Sequence, residues 1–134
     1  LGWLNLDHNQ IVTLTKQHFA PIRDNLRVLK LGDNLLESVD ASMFDGQEKL
    51  NDLKLNNNKI THLPRGLFKN LSNMHSVDLS HNEIESIDPD CLPYPTILRN
   101  LCISHNKISK IHPDLFKHQS ALYHLNLSNN QIKE

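Results

Sequence analysis

The chain has 134 residues, with 14 Lys or Arg against 15 Asp or Glu, so its formal net charge is −1. One domain is expected at this length, and the balanced charge excludes a polybasic protein that binds nucleic acid or anionic membranes through clustered cations. Aromatic residues make up only 5% of the chain, so a core must be aliphatic, and no apolar run approaches the roughly 20 residues that span a bilayer.

A repeated pattern of aliphatic residues and asparagine runs along the chain. It begins with Leu1, Leu4, Leu6, Asn9 and Ile11, which occupy positions one, four, six, nine and eleven of the first repeat. The pattern begins again at residues 26, 50, 74, 98 and 122, so the starts are 25 residues apart once and 24 apart four times. Such an internal period predicts a repeat architecture. We expect one domain over residues 1–134, with six repeats, the last of them truncated.

Each repeat opens with a short predicted strand. Its aliphatic residues alternate with polar ones, so the aliphatic side chains point to one face and the residues between them to the other. Stacked repeats then form a parallel sheet and a continuous core, with about 4.8 Å between neighbouring strands. Prolines in the second half of the repeats predict turns and 3-10 segments there. We also expect a stack of phenylalanines on that outer side, at Phe19, Phe44, Phe68 and Phe116, with Leu92 filling the gap.

These motifs resemble the leucine-rich repeat, and the resemblance covers essentially the whole chain. Repeats of 24 residues that end in an apolar residue and Phe are similar to those of Toll-like receptors, chaoptin-like adhesion proteins and small proteoglycans. The resemblance implies a right-handed solenoid, α/β by convention, with a curved parallel sheet on the concave face, turns and short 3-10 pieces on the convex face, and little regular α-helix. It also implies a structural ladder in which the position-nine amides bond backbone groups of their own turn and of the next repeat, at Asn9, Asn34, Asn58, Asn82, Asn106 and Asn130.

The function that this fold indicates is non-enzymatic recognition of a protein on the concave face. The setting implied by the resemblance is an extracellular receptor or cell-adhesion protein, and the partner is a protein ligand, a co-receptor or a second copy. The alternative is a structural spacer that sets length and curvature between other domains. Nucleic acid is not expected, and membrane contact is expected only through an anchor or span outside this sequence. Because Trp, Tyr and Arg dominate binding energies and charges set complementarity, the expected partner-binding residues are Trp3, Arg27, Lys30, Asp52, Lys54, Asp78, Arg99 and Tyr123.

Nine histidines invite a metal site or a pH-sensitive site. His81 and His105 share one position in adjacent repeats, but zinc needs three or four converging ligands, so we expect neither a metal nor a cofactor. Protonation of these two histidines near the ordinary histidine range of about 6.5 is expected to make partner affinity pH-dependent. Catalysis is not expected, because an open sheet offers no enclosed pocket or oxyanion hole.

Two cysteines and two sequons bear on the compartment. Cys91 takes the place of a core leucine and Cys102 projects from the sheet, so a disulfide between them is not expected. The sequons predict N-glycosylation at Asn70 and Asn126, with a chance match as the open alternative for each. No signal peptide, membrane span or Cys-rich cap is visible. We therefore expect an internal run of repeats from an extracellular or cell-surface ectodomain.

Overall fold

A computed structural model describes residues 1–94 and 97–133. Six parallel strands, one from each repeat, form the main sheet: β1 Trp3–Asn5, β2 Val28–Lys30, β3 Asp52–Lys54, β5 Ser76–Asp78, β7 Asn100–Cys102 and β8 His124–Asn126. Neighbouring strands pair at the same repeat position, so Leu29 lies between Leu4 and Leu53. This parallel solenoid with very little helix confirms the leucine-rich-repeat fold predicted from the period.

The outer segments contain three further kinds of structure. In the first repeat, helix α1 (Lys16–Phe19) is followed by a 3-10 helix (Ala20–Ile22), at the place where this repeat carries its extra residue. In the third and fourth repeats, β4 (His62–Leu63) and β6 (Ser86–Ile87) pair in a second, two-stranded parallel sheet that the sequence did not predict. The remaining described outer segments consist of turns, bends and irregular backbone.

The core is a column of aliphatic side chains behind the main sheet. At position four, Leu29, Leu53 and Leu101 are at most 1% exposed, because strands on both sides cover them. The equivalent Leu125 in β8 is 40% exposed, since β8 has a neighbouring strand on one side only. Burial in the middle repeats therefore depends on stacking, as expected for a structure in which one repeat cannot cover its own apolar face.

Phenylalanines line the opposite side of the core. The rings of Phe44 and Phe68 stack with centroids 5.9 Å apart, and Phe19 is buried beside the 3-10 helix of the first repeat. In the fourth repeat Leu92 takes the phenylalanine position and is buried, whereas Phe116 in the fifth repeat is half-buried.

The position-nine asparagines connect successive repeats through their side-chain amides. Asn58 Nδ2 donates to the carbonyl of Leu31 in the preceding repeat (2.9 Å) and to that of Leu55 in its own (3.1 Å). Its Oδ1 accepts the backbone N–H of Leu36 at 3.0 Å. The bonds between repeats run to the preceding repeat, not to the next one. Asn9, in the first repeat, donates to two carbonyls of its own turn. The pattern seen at Asn58 recurs at Asn34, Asn82, Asn106 and Asn130.

Position eight, directly before each asparagine, has a left-handed backbone. The six φ angles lie between 54° and 60°, a region that Asn, Asp and His adopt more readily than most residues do. This conformation turns the chain out of the strand and directs the backbone N–H to the next repeat, as in His81 N–H to Ser104 O at 3.0 Å. Side chains at this position therefore form a column beside the sheet: His8, Asp33, Asn57, His81, His105 and Asn129.

Candidate recognition surface

The face of the main sheet that points away from the core is polar. We call it the open sheet face and define it by positions two, three and five of the six repeats. On β2, β3 and β5 the residues at positions three and five are half-buried while the residue between them is buried, which is the alternation expected of strands with one covered face. Five of the sequence-predicted binding residues lie on the strands of this face, namely Trp3, Lys30, Asp52, Lys54 and Asp78. The other three, Arg27, Arg99 and Tyr123, directly precede strands of the same sheet.

Opposite charges meet at the centre of the open sheet face. Lys54 Nζ lies 3.6 Å from Asp52 Oδ1 on the same strand. In the sheet register Lys54 stands between Lys30 and Asp78. The carboxylate of Asp78 also accepts two hydrogen bonds from Ser80, from its backbone N–H (2.9 Å) and its hydroxyl (2.6 Å). Asp52 and Asp78 thus have partners within the chain, and Asp78 helps to hold the turn that follows its strand.

Aromatic side chains stand near both ends of the open sheet face. Trp3 is 56% exposed, and Lys30 Nζ lies 5.2 Å from its ring centroid, within the range of a cation–π contact. Tyr123 is 80% exposed and meets the ring of His124 edge-on, with centroids 4.7 Å apart. Large exposed aromatic surface of this kind is common where a protein binds another protein.

Arg27 and Arg99 lie at position two, along the edge where the strands begin, and both are exposed. The other two arginines of the chain pair with carboxylates, Arg23 with Asp24 at 3.8 Å and Arg65 with Asp90 at 3.6 Å. Within residues 1–94 and 97–133, neither Arg27 nor Arg99 has a carboxylate at ion-pair distance. The structure thus brings Trp3 to Lys30 and Asp52 to Lys54, and it leaves two guanidinium groups unpaired at the edge.

Alternation of faces, if it continued past position five, would place position seven on the open sheet face as well. Gly32, Ser80 and Ser104 are buried instead. The strands end at position five, so the alternation of faces no longer applies, and position seven packs against position seven of the next repeat. A Cβ on Gly32 would approach Asn56 Oδ1 to 2.8 Å, which shows how close this packing is.

His81 and His105 stack in the position-eight column. Their ring centroids are 4.2 Å apart and their planes differ by 9°. His105 Nε2 also lies 3.3 Å from the side-chain nitrogen of Asn129 in the next repeat. Both histidines are exposed. In the described part of the chain, no group of three or more His, Cys, Asp or Glu side chains is arranged to hold a metal ion.

Asn70 is exposed on an outer turn, whereas Asn126 lies on β8 and its Oδ1 accepts the backbone N–H of Ser128 at 3.0 Å. Cys91 is fully buried, and Cys102 is half-buried on β7. Among the described helices, none has the length and apolar character needed to cross a membrane.

Lys49 belongs to the edge occupied by Arg27, and sequence reasoning did not select it. Together with Asn51, Asn73 and His75 the two cations line a shallow hollow of about 260 Å³. Lys49 lies one residue before the start of the repeat motif, so the repeat pattern does not predict which way its side chain points. Its neighbours become apparent only when adjacent strands are placed side by side.

Solved structures similar to this chain include immune and developmental receptors. The chain superposes on the TLR13–ssRNA13 complex with a TM-score of 0.91 and 29% identity, covering 100% of this chain and 19% of that one. The LRIM1/APL1C complex gives a TM-score of 0.86 with 29% identity, over 97% of this chain and 24% of that one. The Drosophila Toll–Spatzle complex gives a TM-score of 0.87 with 28% identity, over 98% of this chain and 19% of that one.

This chain therefore spans about a fifth to a quarter of the length of these structures. Two of these structures are complexes between proteins, and one contains single-stranded RNA. The prediction that this chain does not bind nucleic acid, which was based on its balanced net charge, is therefore not supported by these structures. No curated protein matches the sequence at a significant level. The leucine rich repeat family model matches residues 1–60, 48–101 and 96–134, which together cover the whole chain. The chain belongs to the leucine-rich repeat family.

Proposed function

We propose that this chain is a non-enzymatic recognition module of an extracellular receptor or cell-adhesion protein, and that its open sheet face binds a protein partner. The observation that carries the proposal is the open sheet face itself. Its polar and aromatic side chains are held at fixed spacing by a hydrogen-bonded sheet. A surface ordered before binding loses little conformational entropy in the complex, which favours affinity.

The composition of this face fits a folded protein partner. Its centre carries charges of both signs, in Lys30, Lys54 and Asp52, and its ends carry Trp3 and Tyr123. Interfaces between proteins combine such scattered polar contacts with a few aromatic or arginine side chains that supply most of the binding energy. The likeness to the LRIM1/APL1C and Toll–Spatzle complexes supports a protein partner, and the glycosylated form of the Toll–Spatzle complex supports the proposed compartment.

A charge-reversal experiment tests this proposal against the spacer role. Lys30→Glu with Lys54→Glu changes the open sheet face, and Lys69→Glu with Lys117→Glu makes the same net change on exposed outer turns. Immobilised chain is offered secreted and cell-surface proteins of the tissue that expresses it, and the retained partner is identified and its affinity measured. We expect the first pair to weaken binding by about tenfold or more and the second by less than about twofold. Equal affinity of both variants, with unchanged circular dichroism, would contradict recognition by this face and favour the spacer.

A further inference from the structure

Two hollows follow the edge of the main sheet where the strands begin. The first is lined by Arg27, Lys49, Asn51, Asn73 and His75. The second, of about 620 Å³, is lined by Arg99, Asn100, Ala121, Tyr123 and His124. Among the described residues that line the two hollows, Arg27, Lys49, His75, Arg99 and His124 are basic, Tyr123 is a phenol, and none is a carboxylate. We call Arg27, Lys49, His75, Arg99 and His124 the basic edge.

The unpaired arginines distinguish this edge from the rest of the molecule. On the outer side, Arg23 and Arg65 each have a carboxylate within 4 Å, so their charges are partly balanced inside the chain. Lys49 also reaches a separate outer hollow that contains Asp24 and Glu48. Arg27 and Arg99 have no such balance among the described residues. A guanidinium that is exposed and unpaired beside a strand is suited to bind a carboxylate or phosphate through two parallel hydrogen bonds.

The charges beside the edge discriminate between two anionic ligands. Asp52 and Asp78 lie on the same sheet face, on the strands between those of Arg27 and Arg99. A nucleic acid carries a negative charge on every nucleotide, so a strand laid along this edge would bring phosphates near Asp52, which begins its strand, whereas Asp78 lies at the far end of its own strand. An acidic protein segment can place its carboxylates at the two arginines alone and leave neutral residues between them.

The spacing of the arginines sets the length of such a segment. Arg27 and Arg99 are three strands apart, which corresponds to roughly 14 Å at the usual strand separation. An extended peptide covers that distance in about four residues. Carboxylates four residues apart therefore match the two guanidinium groups, and Tyr123 beside Arg99 provides an apolar surface for the residue that follows.

We propose that the basic edge binds an acidic segment of the partner protein, in an extended conformation, with carboxylates at Arg27 and Arg99. This inference rests on the proposed function, because it names the chemistry of the partner that the open sheet face would recognise.

The experiment uses the whole chain and three synthetic probes at low ionic strength, where screening is weak. The first probe is a nonapeptide with glutamate at its first, fifth and ninth positions and serine elsewhere; the second has glutamine at those three positions. The third is tetrathymidylate, whose three phosphodiesters carry the same charge as the first peptide. Affinities are measured by calorimetry for the unchanged chain and for two double variants. Arg27→Gln with Arg99→Gln removes the unpaired arginines, and Arg23→Gln with Arg65→Gln removes the paired ones with the same change in net charge.

We expect the glutamate peptide to bind the unchanged chain at least about tenfold more tightly than either other probe does. We expect the first double variant to lose about tenfold in affinity and the second to change by less than about twofold. Equal losses in the two variants would overturn the inference, because binding would then follow net charge. Tighter binding of tetrathymidylate would also overturn it and assign the edge to a phosphate backbone. If the peptide fails while a partner still depends on Lys30 and Lys54, the acidic segment is wrong and recognition by the open sheet face stands.

Discussion

The imidazole rings of His81 and His105 lie face to face, 4.2 Å between centroids and 9° from parallel. They hold this arrangement because both residues occupy the left-handed position of successive repeats, so that their side chains leave the backbone in the same direction. The pair therefore presents two exposed, stacked rings beside the open sheet face.

We predict that His81→Asn with His105→Asn reduces the pH dependence of partner affinity. The change in affinity between about pH 7.4 and about pH 5.5 should shrink by about threefold or more, since imidazole is the side chain that ordinarily changes charge in this range. Asparagine already occupies this position in the third and sixth repeats, so the backbone is not strained. Titration calorimetry at the two pH values measures the effect, and His112→Asn with His118→Asn is the control. An unchanged pH dependence would show that the stacked pair is not the sensor.

The buried asparagine ladder should carry more stability in the middle repeats than in the first. Asn58→Ala removes a buried amide and leaves the carbonyls of Leu31 and Leu55 and the N–H of Leu36 without that partner. The two carbonyls keep the side-chain amides of Asn34 and Asn82 as partners, so the Leu36 N–H is the group left unsatisfied. An unsatisfied buried group costs on the order of 1–3 kcal/mol, and we expect a loss of about that size in the free energy of unfolding. Asn9→Ala, at an exposed site, should cost less than about 1 kcal/mol. Urea unfolding compares the two, and equal losses would contradict the ladder.

The thiol of Cys91 makes stability fall in alkaline solution. Burial raises its pKa from 9.0 to about 12, and the nearby carboxylates of Asp88 and Asp90 add to the shift. Above pH 9 the unfolded chain releases this proton while the folded chain retains it, so ionisation favours unfolding. Stability is fully present below pH 9 and declines by up to about 1.4 kcal/mol per pH unit until the folded thiol ionises near 12.

Denaturation at several pH values from about 8 to about 10.5 measures this decline. Cys91→Ala should show a shallower decline than the unchanged chain, although its overall stability is lower because the substitution leaves a small cavity. Equal slopes in the unchanged chain and in Cys91→Ala would refute the assignment.

The two sequons should differ in use if the chain is expressed through the secretory pathway. Asn70 is exposed on an outer turn, and its sugar would leave the open sheet face clear. The amide of Asn126 is engaged with the Ser128 N–H, and a sugar there would cover part of that face. Peptide mapping by mass spectrometry should find a glycan at Asn70 and little at Asn126, and Asn70→Gln should remove it. More glycan at Asn126 than at Asn70 would contradict this prediction.

The repeat pattern alone was sufficient to predict the sheet and its register. One aliphatic residue per repeat at position four leaves a single alignment in which Leu29, Leu53 and Leu101 are all covered. The same reasoning failed two positions after each strand, at Ser80 and Ser104, because a left-handed residue follows and the alternation of faces has ended. Alternation predicts side-chain direction only while the backbone is extended.

The remaining features depend on neighbours that are distant in sequence. The second sheet pairs only two residues in each strand, too few for a visible pattern. Lys49 contributes to the basic edge through its position beside Arg27, which follows from stacking and not from its own repeat. That Arg27 and Arg99 have no ion-pair partner among residues 1–94 and 97–133 likewise follows only from the positions of the carboxylates in the folded chain.

The asparagine hydrogen bonds make each turn depend on the repeat that is synthesised after it. The N–H of Leu36 is satisfied by Asn58, that of Ile60 by Asn82 and that of Ile84 by Asn106, each about one repeat later in sequence. A turn that has just left the ribosome therefore lacks its closing partner until the following repeat emerges. Folding of the nascent chain should advance in steps of one repeat, always one behind translation, with the newest turn open to chaperones.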